Sequence, residues 1–283
     1  MVYEHEIPKG ARLYFAKEAR LKRHIESTAS EVLYQHGFEE IVTPHFSYHQ
    51  HHFIEPKSEL IRLSDEKNRE LSIRADSTVD VVRLVTKRLG RSTEHKKWFY
   101  IQPVFRYPSS EYYQIGAEVL EGKQSLENLK IVTQIFRQLG IAPRLMLANI
   151  KIPSLVSEFL GIDLELFKRL DIDALLEGAP AWLERLLFVQ HAGEIDALMG
   201  ELPEPIEAEL VKLKELALAL EYEEILLAPL FYAKMRYYKD LFFRFFSGNA
   251  TLATGGDYEA EGLEASGFAL YTDEIISLLQ KGD

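Results

Sequence analysis

The stretch FRYPSSEYYQIGAEVL, residues 105–120, follows the hydrophobic run WFYIQPVF and decides how this chain is read. Arg106 closes one strand-like segment, and Gln114 and Glu118 stand four apart on the next. An even spacing places both side chains on one face of a strand. An amide and a carboxylate there, with a guanidinium nearby, can satisfy the ammonium, carboxylate and ring of a zwitterionic ligand. A buried carboxylate is costly unless paired, so such a face awaits a partner. A solvent-facing strand surface accounts for the spacing equally well. The connection, PSSEYY, is short and contains no arginine.

Composition bounds what surrounds this face. The chain has 283 residues, 47% hydrophobic and 27% charged, as expected for a soluble globular protein of one large domain or a core with an appended one. No apolar run approaches the ~18 residues that span a bilayer. The start, MVYEHEIPKGARLYF, lacks a basic-then-apolar leader pattern, so a soluble cytoplasmic protein is expected. With no cysteine, disulfides and thiolate metal sites are excluded. The net charge of −11 disfavours a polyanion partner, because phosphate contacts supply most nucleic-acid affinity. The basic run KRLGRSTEHKK at 87–97 reads as a solvated helix end and loop.

Working outward, KEARLKRHIESTASEVLYQH (17–36) carries Leu21, Ile25, Ala29, Val32 and Leu33 at helical spacing, with Gly37 as terminator. FEEIVTP reads as a strand ended by Pro44, and LIRLSDEKNRELSIRAD as a hairpin about DEKN. Thr78–Leu89 reads as a helix, with Asp76, Ser77 or Thr78 available to cap it. After the strands KKWFYIQPVF and EYYQIGAEVL come a helix over 125–139 and a strand at 144–150. Residues 153–220 are helical, rich in Leu, Glu and Ala, and read as an insert or packing module. EEILLAPLFY, YYKDLFFRFFS and NATLATGGDYE return to β character, and SGFALYTDEIISLLQ adds a last strand and helix. Strands at both ends with helices between predict an α+β domain on a mostly antiparallel sheet flanked by helices.

Other segments are weaker carriers of chemistry. RADST (74–78) stands at a strand-to-helix junction, where free backbone N–H groups join Asp76 and Thr78; simple capping explains it as well. The histidines of PHFSYHQHHF (44–53) have spacings that can chelate, but no carboxylate completes a recognisable motif, and a polar loop or contact surface is preferred. GGDYE (255–259) is a turn or a close backbone approach.

Taken in order, the pieces resemble the catalytic core of a class II aminoacyl-tRNA synthetase of the histidyl type. PKGARLYFAKEARLKRHIES resembles the opening segment, and HGFEEIVTP resembles motif 1, whose proline, Pro44 here, lies at the dimer interface. LSIRADST is similar to the histidyl Arg-Pro-Glu-Gly-Thr segment. VFRYPSSEYYQIGAEVL resembles motif 2, and ATGGDYE with SGFALYTDEI resembles the Gly-Gly-Arg-Tyr-Asp segment and motif 3. The resemblance implies one synthetase-like core over 1–283, its two ends sharing a sheet, with the helical insert at about 153–220.

The chain departs from that pattern where ATP would be held. The motif 2 loop lacks its arginine, motif 3 offers Asp273 and Glu274, and Asp257 replaces the arginine of the Gly-Gly-Arg-Tyr-Asp segment. Acidic groups there repel a triphosphate instead of neutralising it. AKMRYY aligns with the histidyl Arg-Gly-Leu-Asp-Tyr-Tyr segment, losing the arginine at Ala233 and keeping Tyr237 and Tyr238. Nothing after motif 3 resembles an anticodon-binding domain. The surviving set resembles the regulatory subunits of ATP phosphoribosyltransferase. That resemblance implies a non-catalytic chain that activates a short-form catalytic subunit and conveys histidine feedback, as a dimer within a hetero-octamer, without cofactor or metal. It further implies that Glu118 and Tyr237 or Tyr238 hold the imidazole, that Asp76, Thr78 and Gln114 meet the ammonium, and that Arg106 meets the carboxylate. The alternative is a stand-alone synthetase-core ligase that activates a carboxylate with ATP. A tRNA-sensing pseudo-synthetase is disfavoured by the charge.

Overall fold

The computed structural model describes residues 6–52, 54, 56–90, 92–232 and 238–281. The chain divides into two compact units, Met1–Gly122 with Ala260–Leu263 and Phe268–Asp283, and Lys123–Glu259 with Glu264–Gly267.

The first unit opens with α1, Ala16–Gln35, whose buried Ile25, Ala29, Val32 and Leu33 follow the helical spacing of the sequence. Gly37, at φ +77°, supplies the left-handed residue that ends it. Of FEEIVTP only β1, Glu39–Glu40, pairs in a sheet. β2, Phe46–Ser47, β3, Arg62–Ser64, and β4, Glu70–Ile73, form a small antiparallel sheet in the order β2-β4-β3. The β3–β4 turn is held by Asp65, which accepts from the Lys67 and Arg69 backbone N–H groups at 2.8 and 2.9 Å.

The next helix, α2, Ser77–Leu84, has Asp76 as its N-cap. The predicted helix to Leu89 is regular only to Leu84; Val85–Leu89 forms a wider π turn. Thr86 Oγ1 donates to the Val82 and Arg83 carbonyls at 2.8 and 3.3 Å, competing with the backbone ladder. β5, Lys97–Arg106, and β6, Ser110–Leu120, pair antiparallel from Lys97↔Val119 to Arg106↔Ser110, while β1 joins β5 in parallel. Pairing through Ser110 leaves only residues 107–109 as connection, one residue shorter than the strand read from EYYQIGAEVL allows.

The second unit contains α3, Ser125–Gln138, β7, Arg144–Asn149, and α4, Lys151–Leu160. Four shorter helical segments follow over 164–198: α5, Leu164–Arg169, α6, Ile172–Leu176, α7, Ala181–Leu187, and a 3₁₀ turn, Ala192–Leu198. After α8, Glu204–Ala219, come β8, Ile225–Leu227, β9, Tyr238–Ser247, and β10, Ala250–Ala260. β7 pairs parallel with β8 and antiparallel with β9, which pairs antiparallel with β10. A parallel pair needs a crossover connection, and the helical stretch supplies it. Phe243 and Phe245 of β9 are fully buried, with the Phe136 ring 5.3 Å from Phe245. β11, Leu263–Tyr271, and the helix Thr272–Lys281 complete the described elements. The described pairings are therefore mixed in direction.

Candidate functional site

The site grows from one face of the β5–β6 pair. In register, Trp98 faces Glu118, Tyr100 faces Gly116, and Gln102 faces Gln114. Residues directly opposite in an antiparallel pair share a face. Gly116 is the reason this face is usable: a Cβ there would lie 2.2 Å from Tyr100 Cζ and Oη. The Tyr100 ring lies across the bare glycine backbone, between the positions of Gln114 and Glu118.

From there Tyr100 Oη donates to Glu118 Oε1 at 3.3 Å and stands 3.2 Å from Thr78 Oγ1. With its proton committed to the carboxylate, the phenol oxygen accepts from Thr78. The result is a polar chain Thr78→Tyr100→Glu118 in which Tyr100 and Glu118 are each 1% exposed. Burial, then the charges of Glu118 and Asp76, push the Tyr100 phenol well above its usual range, which keeps it a donor.

Asp76 reaches the same region through α2, whose N-terminus it caps by accepting from Val79 N–H at 3.0 Å. Its carboxyl is pushed up by burial, against the opposing pull of the Val79 N–H and the Arg106 charge. The junction is clamped by Gln50, fully buried, whose Oε1 accepts from the Ala75 and Asp76 N–H groups at 3.1 and 2.9 Å. Arg106 donates to the Ala75 carbonyl and lies 3.3 Å from Glu59 Oε2, so its guanidinium is aimed at the α2 entry.

Arg74, immediately before the junction, is fully buried. It donates to the carbonyls of Thr43, Pro44 and Pro103 at 3.0, 3.3 and 2.8 Å and to Gln102 Oε1 at 3.1 Å. It thereby ties β5 to the segment bearing Asp76 and Thr78. Charge-assisted bonds to carbonyls offset the desolvation that depresses its pKa.

Asp76, Thr78, Arg106, Gln114 and Glu118 thus belong to the first unit, around one strand face and one helix entry. Tyr238 opens β9 in the second unit, 8% exposed and with its ring centroid 5.1 Å from that of Phe242. Tyr237 and Ala233 lie outside the described residues. Pro44 is exposed, between Val42 and Phe46 at 78% and 60% exposure. Among the described residues no group of three or more His, Asp or Glu is placed to hold a metal.

Sequence reasoning passed over Tyr100, Arg74 and Gln50. Gly116 was the available signal for Tyr100, since a glycine inside a strand marks a close approach. Two of the three replacement acids, Asp273 and Asp257, also have occupations. Asp273, 7% exposed, accepts from the Tyr14 hydroxyl and, at 3.0 Å, from Tyr113 N–H. Asp257, 5% exposed, accepts from the Ser125 hydroxyl.

Comparisons with known proteins place the chain in a family. The histidyl-tRNA synthetase family model matches residues 10–275. The ATP phosphoribosyltransferase regulatory subunit of Wolinella succinogenes is 47% identical over 276 residues, 98% of this chain and 96% of that one. The protein of the same name from Helicobacter hepaticus is 42% identical, covering 99% of each chain. A crystal structure described as an ATP phosphoribosyltransferase regulatory subunit/histidyl-tRNA synthetase, from Bacillus halodurans, aligns with a TM-score of 0.77. That alignment covers 99% of this chain and 84% of the other at 19% identity, and so speaks for the fold alone. The fold is the histidyl-synthetase-like one of class II, mixed β-structure with flanking helices, and the chain belongs to the family of ATP phosphoribosyltransferase regulatory subunits.

Proposed function

We propose that this chain serves as the regulatory subunit of ATP phosphoribosyltransferase in the first step of histidine biosynthesis, activating a short-form catalytic subunit and conveying inhibition by histidine. The observation that carries the histidine part is the Thr78→Tyr100→Glu118 chain beside Asp76 and Arg106. In this reading Glu118, oriented by Tyr100, and Tyr237 or Tyr238 take the imidazole. Asp76, Thr78 and Gln114 meet the ammonium, and Arg106 meets the carboxylate, exchanging Glu59 for the ligand. The coupling to the partner's active site would be ~1–3 kcal/mol, the usual size of allosteric linkage.

The chain contributes no catalysis of its own in this proposal. Supporting that, Asp273 and Asp257 are anchored in the fold at positions where the family resemblance calls for phosphate-binding arginine. Adenylate chemistry depends on charge stabilisation of the phosphates. The two units would form one synthetase-like core with residues 153–220 as an insert. Exposed Val42, Pro44 and Phe46 support a self-contact that forms a dimer, which in this proposal stands within a cytoplasmic hetero-octamer with the catalytic subunit. Among the described residues no helix is long and apolar enough to cross a membrane.

The test is to mix the protein with a short-form catalytic subunit and to assay phosphoribosyl transfer with and without histidine. A faster rate and a new histidine sensitivity are expected. No complex and no change in rate would refute the reading. Histidine-dependent ATP–pyrophosphate exchange by the chain alone would establish the ligase alternative instead.

A further inference from the structure

The second unit contains a cavity of ≈ 330 Å³ bounded by the starts of α3 and α4, by α8 and by strands β9 and β10. Its charges are ordered by depth. Asp257 is 5% exposed, and the side chains of Asp240 and Glu209 are each 13% exposed. The lysines stand further out, with the Lys151 and Lys212 side chains 43% and 62% exposed.

The three deep carboxylates are not equivalent. Asp240 is held between Lys123 and Lys151. Glu209 takes Lys212 at 2.7 Å and Asn149 Nδ2 at 2.8 Å. Asp257 instead accepts from the Ser125 hydroxyl and the Leu241 backbone N–H, both neutral donors. Among the described residues it has no direct ion pair, the Lys123 charge reaching it only at a distance, and burial with the neighbouring Asp240 charge pushes its carboxyl up. Leu213, Leu216 and Leu241 give the cavity an apolar wall.

We propose that this cavity binds a small zwitterionic amino acid with an aliphatic side chain. The ammonium enters to Asp257, the carboxylate stays at the rim with Lys151 and Lys212, and the hydrocarbon lies on the leucines. A free phosphate or simple carboxylate meets the deep acids and is repelled, while a simple amine brings no carboxylate to the rim lysines, which keep only Asp240 and Glu209. This site is separate from the histidine reading and stands or falls without it.

The test is calorimetric titration of the intact chain with L-leucine, with 4-methylpentanoate, which lacks the ammonium, and with isoamylamine, which lacks the carboxylate. Saturable leucine binding is expected, with each analogue at least tenfold weaker. Asp257→Asn should weaken leucine at least tenfold, and Lys151→Met with Lys212→Met about fivefold, whereas Glu118→Gln in the first unit should leave leucine affinity unaltered while disturbing histidine binding. Melting temperatures report whether each variant is folded. If Asp257→Asn does not fold, the analogue series and the lysine pair decide. No leucine saturation, equal binding by the amine, indifference to Asp257→Asn in a folded protein, or loss of leucine binding in Glu118→Gln would each overturn the proposal.

Discussion

Glycine at position 116 is a requirement of its neighbour across the strand pair. A methyl group there would meet the Tyr100 ring at 2.2 Å. Gly116→Ala is expected to cost ~1–3 kcal/mol by overpacking and to displace Tyr100 from Glu118. Urea unfolding and histidine titration measure the two effects; a variant of wild-type stability that binds histidine normally would remove Tyr100 from the site. Arg74 sets the opposite kind of test. Arg74→Met fills much of the volume but strands the carbonyls of Thr43, Pro44 and Pro103, so a loss of ~3 kcal/mol or more is expected in the same unfolding measurement. The Gln114/Glu118 face was legible because strand alternation is local. Arg74 and Tyr100 were not, because their acceptors come from segments about thirty and twenty positions away, which no spacing rule brings together.

Among the elements, α2 has Asp76 as its cap and, in the proposed function, as a ligand group. Asparagine caps about as well as aspartate, so Asp76→Asn should match the wild type at acid pH and exceed it near neutral pH, where it removes the burial cost of the charge, whereas Asp76→Ala should fall below Asp76→Asn by ~1 kcal/mol. Both should lose histidine binding if the carboxylate meets the ammonium. The raised pKa of Asp76 adds a pH signature. Between the unfolded value, ~3.9, and the higher folded one, the native state holds the extra proton. Its stabilising contribution is full below the unfolded value and is lost as pH rises through the folded one. Thermal unfolding across the acid range should show this slope in the wild type and not in Asp76→Asn. α1, the start of α2, α3, the β3–β4 hairpin and the β5–β6 pair were readable from periodicity and turn residues, while 153–220 read only as one helical stretch. The end of α2 was not, because a threonine hydroxyl bonding backward leaves no mark in the apolar pattern. The strand read from EYYQIGAEVL begins within one residue of β6, whose first residues pair with Val104–Arg106.

For the molecule as a whole, the family order of segments was legible and the assembly was not. The exposed Val42 and Phe46 beside Pro44 locate the proposed self-contact. Val42→Asp with Phe46→Asp is expected to turn a dimer into a monomer in sedimentation velocity, with the circular dichroism spectrum unchanged; a persistent dimer would move the contact elsewhere. The parallel pairing of β7 with β8 has a consequence of timing. Leu145 meets Ile225 only after the helical crossover has brought back a strand eighty positions downstream. Closing so long a loop costs about 2 kcal/mol more entropy than closing one of about ten residues. β8 offers just three residues, Ile225–Leu227, in return. Its docking should therefore follow that of β9 and β10, whose hairpin closes locally. In pulsed hydrogen exchange during refolding, the β9–β10 amides should gain protection first and Ala228, whose N–H donates to the Leu147 carbonyl, among the last, leaving that sheet edge transiently open.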